Sequence, residues 1–520
     1  MTDIGDSRPP GTPVAFTRPS LGGPAHRAGR AVPSPAAALR REPSARLQWE
    51  RARSGAIAAG PARGIRSPVE GNIVQNVTLT REQAAVFQAI EGTREHVFVT
   101  GRAGTGKSTL LNHLNWHTNK QIVICAPTGV AALNVGGQTI HSLFRLPIGV
   151  IADQRIEQND AVRKILNAMD TLVIDEVSMV NADLMDAMDR SLRQARQRPH
   201  EPFGGAQVVL FGDPYQLAPV PGDLDERRYF ADSYESMWFF DARVWNETDL
   251  RIFELGEVHR QHDDEFKVML NAVRHGRVTA EIAGVLNDVG ARRPLPEQGA
   301  ITLATRNDMV NRINATQLHR LPGHSQANEA EVNGDFGGRA FPADERLELK
   351  VGAQVMFLRN DTAIGPEGQR WVNGTIGTVT SQQREVRVEI DGEEHEVAPV
   401  TWEKYKYDWD PVRKKLERQV VAEFTQFPLR LAWAVTIHKS QGATYDSAIV
   451  DLGPRVFSPG QTYVALSRLT ALVGLYLSRP LRPSDIMVDR DVERFMSGAV
   501  RDLGGELDAP GTTGPTSEAG

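Results

Sequence analysis

Gly101-Arg-Ala-Gly-Thr-Gly-Lys-Ser-Thr109 is the stretch that decides the fold of this 520-residue chain. It follows the apolar, β-branched run at residues 96–100, which is typical of a buried strand, and it opens a helical pattern. At a junction of strand, glycine-rich loop and helix, backbone amides and the helix dipole bind phosphate groups. The stretch therefore predicts a binding site for a nucleoside triphosphate on an α/β domain with a parallel sheet.

Each residue type in this loop suits one part of a nucleotide. The glycines let the backbone wrap closely round the phosphates, and Lys107 offers a point charge to the β- and γ-phosphates. The Ser108 hydroxyl is a ligand suited to Mg²⁺. The predicted nucleotide-binding residues of the loop are Gly101, Gly104, Gly106, Lys107, Ser108 and Thr109.

A second strand, at residues 172–174, ends in the pair Asp175-Glu176. One carboxylate at such a position can bind Mg²⁺ while the other activates a water molecule. We assign Asp175 to the metal and Glu176 to the water as a general base. The two motifs together predict an enzyme that hydrolyses ATP with Mg²⁺. A kinase would need a pocket for an acceptor substrate, and the sequence shows no pattern for one.

The amino-acid composition excludes several classes of protein. Cys125 is the only cysteine, which excludes a disulfide framework and a cysteine-rich zinc site. No apolar run approaches the ~20 residues of a membrane-spanning helix, so we expect a soluble protein without a membrane partner, located in the cytoplasm or, in a bacterium, at the nucleoid. The formal net charge is −6, so a nucleic-acid site must be a local basic track.

The two ends of the chain differ from the rest in amino-acid composition. Residues 1–72 hold ten prolines, and residues 1–70 hold eleven arginines against five acidic residues. This composition predicts a disordered basic tail rather than an amphipathic transit peptide. The segment 504–520 is predicted to be disordered as well.

Between the tails, two sets of β-branched runs predict two α/β lobes, the first set at 96–100, 122–125 and 172–174 and the second at 300–304, 447–451 and 474–477. We expect a first lobe at 73–255, with a small duplex-splitting wedge near 145–170, and a second lobe at 256–372 and 426–503. The runs at 374–380, 386–390 and 395–397 alternate with period two around Asp391-Gly392, which predicts a small antiparallel β insertion at 373–425.

Beyond the phosphate loop, further blocks occur in a characteristic order. In the first half they lie at residues 126–132, 137–144, 211–220 and 257–261, and in the second half at 305–308, 352–356, 372–374, 436–444 and 460–468. Together they resemble superfamily-one helicases of the B type. The helical stretch at 184–198, followed by Pro-Phe-Gly-Gly-Ala-Gln at 202–207, resembles the Pif-one (petite integration frequency) helicases, with RecD-type helicases as the neighbouring alternative.

The resemblance covers roughly residues 75–500 and implies two RecA-like lobes with an SH3-like barrel as the insertion. One departure lies at Pro214-Tyr215 and Ala218, where many members carry aromatic pairs or a second proline. That departure affects the subgroup and leaves the ATPase assignment intact.

The resemblance also implies roles at the nucleotide. Gln83 would read adenine with its amide, and Gln216 would sense the γ-phosphate. Arg260 and Arg468 would stabilise the transition state as arginine fingers. Either arginine could instead form a structural ion pair, and Gln83 could be an ordinary helix-surface glutamine.

A third set of residues resembles those that grip single-stranded backbone. Such contacts are made to phosphates and ignore base sequence. The alternative for each hydroxyl is a helix cap, and for each histidine a place in the core or on the surface. The predicted DNA-binding residues are Thr128, His141, Thr436, His438 and Lys439.

The family resemblance implies a monomeric DNA helicase that moves 5′ to 3′ on single-stranded DNA. It would open forks in replication, repair, recombination and telomere maintenance, together with other proteins of those pathways. Two alternatives stay open: a DNA-stimulated ATPase that acts as a switch without unwinding, and a helicase subunit of a larger recombination complex. RNA duplexes also stay open as substrates, because a phosphate grip does not detect the 2′-hydroxyl.

Overall fold

A computed structural model describes residues 78–503, apart from 148, 153, 155, 220–223, 294, 296–299, 335, 337–340, 362–363, 366–367, 383–384, 411 and 414. The tails predicted at 1–72 and 504–520 lie outside the described residues, as does the start of the first lobe at 73–77. Among the helices of the described part, none has both the length and the apolar composition needed to cross a lipid bilayer.

The first lobe is built on a six-stranded parallel sheet in the order β3-β2-β4-β5-β1-β6. The three predicted strands of this lobe are confirmed as β1, β2 and β4. Every residue of β1, β4 and β5 is buried, as expected for a parallel sheet covered on both faces. The strands are β1 His96–Gly101, β2 Ile122–Ala126, β3 Gln138–Thr139, β4 Thr171–Ile174, β5 Gln207–Phe211 and β6 Leu250–Leu255.

Within the described residues, seven α-helices accompany this sheet. Five of them, α1 and α3 to α6, begin at a Thr or Asn whose side chain accepts a backbone N–H, which satisfies donors that the first turn leaves free. The helices are α1 Arg81–Gly92, α2 Lys107–His117, α3 Gly129–Asn134, α4 Ile140–Phe144, α5 Asp160–Ala168, α6 Ala182–Arg196 and α7 Leu224–Ser233. The predicted wedge region thus contains α5, which buries Val162, Ile165 and Leu166.

The second lobe has a four-stranded parallel sheet in the order β20-β7-β21-β22. Its strands are β7 Ile301–Ala304, β20 Ala434–Thr436, β21 Ala448–Asp451 and β22 Leu475–Leu477, and the three predicted runs at 300–304, 447–451 and 474–477 are confirmed as β7, β21 and β22. Its helices are α8 Asp264–Arg274, α9 Ala280–Gly290, α10 Asn307–Arg320, α11 Gln461–Leu466 and α12 Arg490–Leu503.

The last helix crosses back to the first lobe. Phe495 of α12 stacks on Phe240 with 4.2 Å between ring centroids and meets Phe239 at 6.2 Å. Just before the helix, Asp489 accepts a hydrogen bond from the Trp238 indole at 3.0 Å. The segment 426–503 therefore contributes to both lobes.

Antiparallel strands fill the region between β7 and β20, and they extend beyond the predicted insertion at 373–425. A five-stranded sheet has the order β16-β15-β14-β11-β19, and a three-stranded sheet has the order β17-β18-β9. Asp391 and Gly392 both have positive φ at the tight turn between β15 and β16, as the sequence predicted. The strands are β8 Gln326–Glu329, β9 Glu331–Gly334, β10 Arg346–Leu349, β11 Gln354–Phe357, β12 Ile364–Gly365, β13 Gly368–Gln369, β14 Ile376–Ser381, β15 Val386–Ile390, β16 Glu393–Val397, β17 Val400–Asp410, β18 Lys415–Gln426 and β19 Leu429–Leu431.

The long hairpin β17–β18 lies against the edge of the first-lobe sheet. The buried Tyr407 hydroxyl accepts the N–H of Ile124 in β2 at 3.0 Å. The Gln138 amide donates to the Tyr405 carbonyl at 2.8 Å, and Arg418 donates to the Gly136 carbonyl at 2.8 Å. An exposed sheet edge offers unpaired backbone groups. The hairpin satisfies some of those groups with its own side chains and carbonyls.

His96 in β1 gives the first lobe a pH-dependent stability. Its Nδ1 accepts the Val208 N–H at 3.0 Å, and burial lowers its pKa to about 4. The unfolded chain, with a histidine pKa near ~6.5, binds more protons than the folded chain between about pH 6.5 and 4. Stability is therefore present above that window and is lost as the pH falls through it.

We expect acidification from about pH 7.5 to about pH 5 to remove about 2 kcal/mol of stability through this one group. Urea unfolding at the two pH values measures the loss. His96→Gln keeps a hydrogen-bond acceptor but does not titrate, so its loss should be smaller by that amount. Equal losses in the variant and the parent chain would show that another group is responsible.

Candidate functional site

The phosphate loop runs from the end of β1 into α2. Gly106, with φ +78°, stands immediately before the helix, so that the first backbone amides of α2 lie next to the loop. The Lys107 ammonium donates to the carbonyls of Gly101 at 2.7 Å and Arg102 at 3.1 Å. These contacts place the charge of Lys107 inside the concave side of the loop. Ser108 is exposed on the first turn of α2, and Thr109 beside it is half-buried.

Gln83 lies against the same loop from α1. Its side-chain amide donates to the carbonyls of Thr105 at 3.5 Å and Gly106 at 3.4 Å, and its carbonyl accepts the N–H of Thr80 at 3.1 Å. The glutamine is 4% exposed, so it is not a helix-surface residue. Both of its polar atoms are held in place beside the loop, where the sequence predicted a reader of adenine.

His259 is a residue of this corner that sequence reasoning missed. Its backbone N–H donates to the Gly104 carbonyl at 2.9 Å, and a Cβ built at Gly106 would lie 3.9 Å from its ring. The ring therefore stands at the mouth of the loop beside Gln83. The sequence feature that could have identified His259 is its position in the block at 257–261, directly before Arg260.

Asp175 and Glu176 follow β4 at the edge where the phosphate loop lies. Burial and, after it, the charge of Glu176 raise the pKa of Asp175 to about 7. Burial also raises the pKa of Glu176, while the nearby Lys107 opposes the shift. Two adjacent carboxylates that are costly to ionise, and the Ser108 hydroxyl on the first turn of α2, are oxygen donors of the kind that Mg²⁺ prefers.

Gln216 is oriented by a buried carboxylate, Asp213, which follows β5. The Gln216 side-chain amide donates to Asp213 Oδ2 at 3.5 Å, and the Gln216 backbone N–H donates to the Asp213 carbonyl at 2.9 Å. Arg274 of α8 donates to Asp213 Oδ1 at 3.1 Å. Arg274 is 2% exposed and also pairs with Glu254 at 3.0 Å. Arg274 lies outside every recognised block, so the sequence carried no signal for it.

The two arginines predicted as fingers, Arg260 and Arg468, lie close to each other. Burial lowers the pKa of Arg260, and the charge of Arg468 lowers it further. Arg260 donates to the Ser467 carbonyl at 3.2 Å, and Arg468 donates to the Val464 carbonyl at 3.0 Å. Neither forms an ion pair with a carboxylate among the described residues. A buried guanidinium, that of Arg468, beside the half-buried one of Arg260, with no carboxylate of the described residues in ion-pair contact, forms a site that favours a bound anion.

A short helix of the second lobe, α11, connects these groups to the first lobe. Gly460 precedes it, and a Cβ built there would lie 2.2 Å from the Gln216 carbonyl, so only glycine allows this approach. Within the helix, the Tyr463 hydroxyl accepts the Ala103 N–H of the phosphate loop at 3.0 Å and donates to Asp213 Oδ2 at 3.3 Å. The second lobe thus contacts both the phosphate loop and the carboxylate that holds Gln216.

The residues predicted to bind DNA lie on both lobes. Thr128 accepts the Ala131 N–H at 3.2 Å as the cap of α3, and Thr436 accepts the Lys439 N–H at 3.2 Å. The capping alternative is therefore realised for Thr128, and its hydroxyl hydrogen is still able to donate to a phosphate. His141 and His438 are half-buried, and burial lowers the pKa of each.

Arg430 is a second basic residue beside Lys439 that sequence reasoning did not single out. Burial lowers the pKa of Lys439, and the neighbouring Arg430 lowers it further, whereas Asp344 opposes the shift. The nearest approach of Arg430 to Asp344 is 4.0 Å. Two cations near one distant carboxylate produce a local positive potential, which favours binding of a backbone phosphate of single-stranded DNA.

Comparison with known proteins places these features in one family. The model of the PIF1-like helicases matches residues 78–283. The ATP-dependent DNA helicase Pif1 of Bdellovibrio bacteriovorus is 34% identical over 437 residues, which are 81% of this chain and 92% of that protein. Human ATP-dependent DNA helicase PIF1 is 34% identical over 83% of this chain and 65% of its own length.

Solved structures agree with these relatives. The crystal structure of Bacteroides sp. Pif1 in complex with ADP-AlF4 superposes with a TM-score of 0.76 at 35% identity, over 82% of this chain and 98% of that one. The structure of Bacteroides Pif1 bound to ssDNA covers the same shares with a TM-score of 0.59. With RecA-like parallel sheets, the phosphate-loop geometry and a relative matched over 92% of its length, this chain belongs to the PIF1-like helicase family.

Proposed function

We propose that this chain is an ATP-driven DNA helicase that moves 5′ to 3′ along single-stranded DNA and unwinds duplexes in genome maintenance. The observation that carries this proposal is the nucleotide site built from both lobes. The first lobe supplies Lys107, Glu176 and Gln216, and the second supplies Arg468. Hydrolysis at such a site depends on the relative position of the lobes, which is what a motor requires.

The residues of the cleft divide the work of hydrolysis. ATP supplies the scissile γ-phosphate, and Mg²⁺, held by Ser108 and Asp175, would neutralise charge on its oxygens. Glu176 accepts a proton from the attacking water, and its raised pKa strengthens it as a base. Gln216 is aimed by Asp213 at the γ-phosphate position. Arg260 and Arg468 supply positive charge to the transition state.

The grip on DNA is divided between the lobes. Thr128 and His141 belong to the first lobe, and Thr436, His438 and Lys439 belong to the second. If nucleotide binding changes the distance between lobes, the two grips alternate and the strand moves in one direction. Solved structures of Bacteroides Pif1 with ssDNA, and one of Pif1 helicases at forked dsDNA, support single-stranded DNA and forks as the ligands.

The antiparallel region is proposed to be the SH3-like insertion of the second lobe. Its strands β11, β14, β15, β16 and β19 close on a separate apolar core that includes Val355, Phe357, Val379 and Val388. The helix α5 and the segment before it remain the proposed wedge. A solved structure concerns two coordinating Pif1 helicases at forked dsDNA, so the monomer is proposed only as the smallest active unit of this chain.

Strand displacement tests the proposal directly. The purified chain should displace the complementary strand from a duplex with a 5′ single-stranded overhang, and should leave a duplex with a 3′ overhang intact. Lys107→Ala should abolish displacement because the β- and γ-phosphates lose their cation. The measurement is ATP-dependent release of a labelled strand.

Arg228→Ala is a matched control, because Arg228 is an exposed cation of the same lobe with 78% of its side chain accessible. It should unwind like the parent chain. DNA-stimulated ATP hydrolysis without displacement would favour the switch or the subunit of a larger complex. Displacement from the 3′ overhang would contradict the polarity, and displacement of RNA duplexes at an equal rate would contradict the restriction to DNA.

Glu176→Gln should separate binding from chemistry. The amide keeps the size of the side chain but cannot accept the proton of water, so the turnover number for DNA-stimulated ATP hydrolysis should fall by about 100-fold or more. Binding of a fluorescent ATP analogue and of a single-stranded oligonucleotide should persist. Loss of nucleotide binding in this variant would mean that Glu176 has a structural role instead.

The basic pair of the second lobe gives a salt-dependent prediction. Lys439→Ala and Arg430→Ala should each weaken binding of single-stranded DNA, since each removes a cation that displaces counterions. Each should make the slope of log K against log salt less steep by about 0.7. Arg346→Ala is the control, because Arg346 already pairs with Glu329 and Glu348. An unchanged slope in both variants would exclude the pair from the DNA path.

A further inference from the structure

Tyr463 is buried in the second lobe, yet its hydroxyl contacts two parts of the first. It is 4% exposed and lies in the middle of α11. The hydroxyl oxygen accepts the Ala103 N–H, one of the backbone donors of the phosphate loop, at 3.0 Å. The hydroxyl hydrogen points to Asp213 Oδ2 at 3.3 Å. One phenol therefore joins the phosphate loop to the carboxylate behind Gln216.

The phenol keeps its proton under working conditions. Burial raises the pKa of Tyr463, and the adjacent charge of Asp213 raises it further. A neutral hydroxyl is both donor and acceptor, which the two contacts require. The roles cannot be exchanged, since a backbone N–H only donates and an ionised carboxylate only accepts.

Asp213 transmits the position of Tyr463 to the catalytic groups. Besides Tyr463 and Arg274, its carboxylate accepts the Tyr215 N–H at 3.2 Å and the Gln216 side-chain amide at 3.5 Å. Its charge also raises the pKa of Lys107 against the effect of burial. A change at one donor of this carboxylate alters the field and the geometry that the others experience.

The register of α11 is fixed close to these contacts. Gly460 lies against the Gln216 carbonyl at its start, and Gln261 donates to the carbonyls of Ser467 at 3.2 Å and Leu469 at 3.0 Å beyond its end. The start of the helix is thus fixed against the first lobe and its end within the second, so the Tyr463 hydroxyl stays beside the loop while the lobes are together. Its two hydrogen bonds exist only while the lobes are together.

We propose that Tyr463 is a positioning residue, which through its hydroxyl orients Gln216 and the phosphate loop when the second lobe closes. It acts on the proposed ATP hydrolysis and deepens it, because it would make the rate depend on lobe closure rather than on nucleotide affinity alone. Interactions made only in the closed, reacting state raise kcat and leave KM nearly unchanged.

Tyr463→Phe removes the hydroxyl and keeps the ring. We expect kcat for ATP hydrolysis stimulated by single-stranded DNA to fall about tenfold or more, with KM for ATP changed by less than about twofold. Tyr445→Phe is the matched control, since Tyr445 is a buried tyrosine of the same lobe whose hydroxyl faces the Met356 sulfur at 3.3 Å. It should keep the parent kcat.

A double-mutant cycle tests the route through Gln216. If Tyr463 acts by orienting Gln216, then Tyr463→Phe should lower kcat only slightly further in a Gln216→Ala background, because the effects of coupled residues do not add. Additive losses, an unchanged kcat in Tyr463→Phe, or a loss confined to KM would each overturn the positioning role.

A measurement on the parent chain needs no variant. Hydrogen exchange of the Ala103 amide should be slow, since this N–H is bonded to the buried phenol, and fast exchange there would contradict the proposal. The outcome is separable from the proposed function. A parent chain without DNA-stimulated hydrolysis or strand displacement refutes the helicase, whereas an active parent with a fully active Tyr463→Phe variant refutes only the role of Tyr463.

Discussion

The buried ion pair between Asp213 and Arg274 is the interaction on which the nucleotide site depends. Its N···O distance is 3.1 Å, and both side chains are almost inaccessible to water. Burying two charges is expensive unless every lone pair and donor is used. Asp213 meets this condition with donors from Arg274, Tyr215, Gln216 and Tyr463. The loop after β5 is held in one geometry because a shift would leave a buried charge unpaired.

The same constraint makes the two lobes interdependent at the nucleotide. Lys107 and Asp213 belong to the first lobe, whereas Arg468 and Tyr463 come from the second. Burial lowers the pKa of Lys107, and the charges of Arg274 and Arg260 from the second lobe lower it further, so a bound phosphate offsets a repulsion between the lobes. Closure of the lobes and binding of an anion therefore favour each other. This reciprocity is the thermodynamic condition for converting hydrolysis into movement.

The features that could be predicted from sequence are those set by local chemistry. The phosphate loop, the Asp175-Glu176 pair and the strands that carry them follow from residue types at fixed short spacing. The contacts between the lobes could not be predicted in this way. Arg274 and Asp213 form a hydrogen bond although they are 61 residues apart in the sequence, and Tyr407 and Ile124 do so although they are 283 residues apart. Such pairs leave no periodic pattern in a single sequence. A capping hydroxyl such as that of Thr128 also has the same local pattern whether or not it contacts a strand.

The lobes meet at two places of different physical character. Near the nucleotide, the contacts are buried and charged, so their geometry is stiff and their loss is costly. At the hairpin β17–β18, the contacts are hydrogen bonds that range from the buried one between Tyr407 and Ile124 to the exposed one from Arg418 to Gly136. Water can replace the exposed bond at a net cost of only about 1 kcal/mol. Opening of the cleft must therefore separate buried charges, whereas the exposed part of the hairpin contact exchanges with water at little cost.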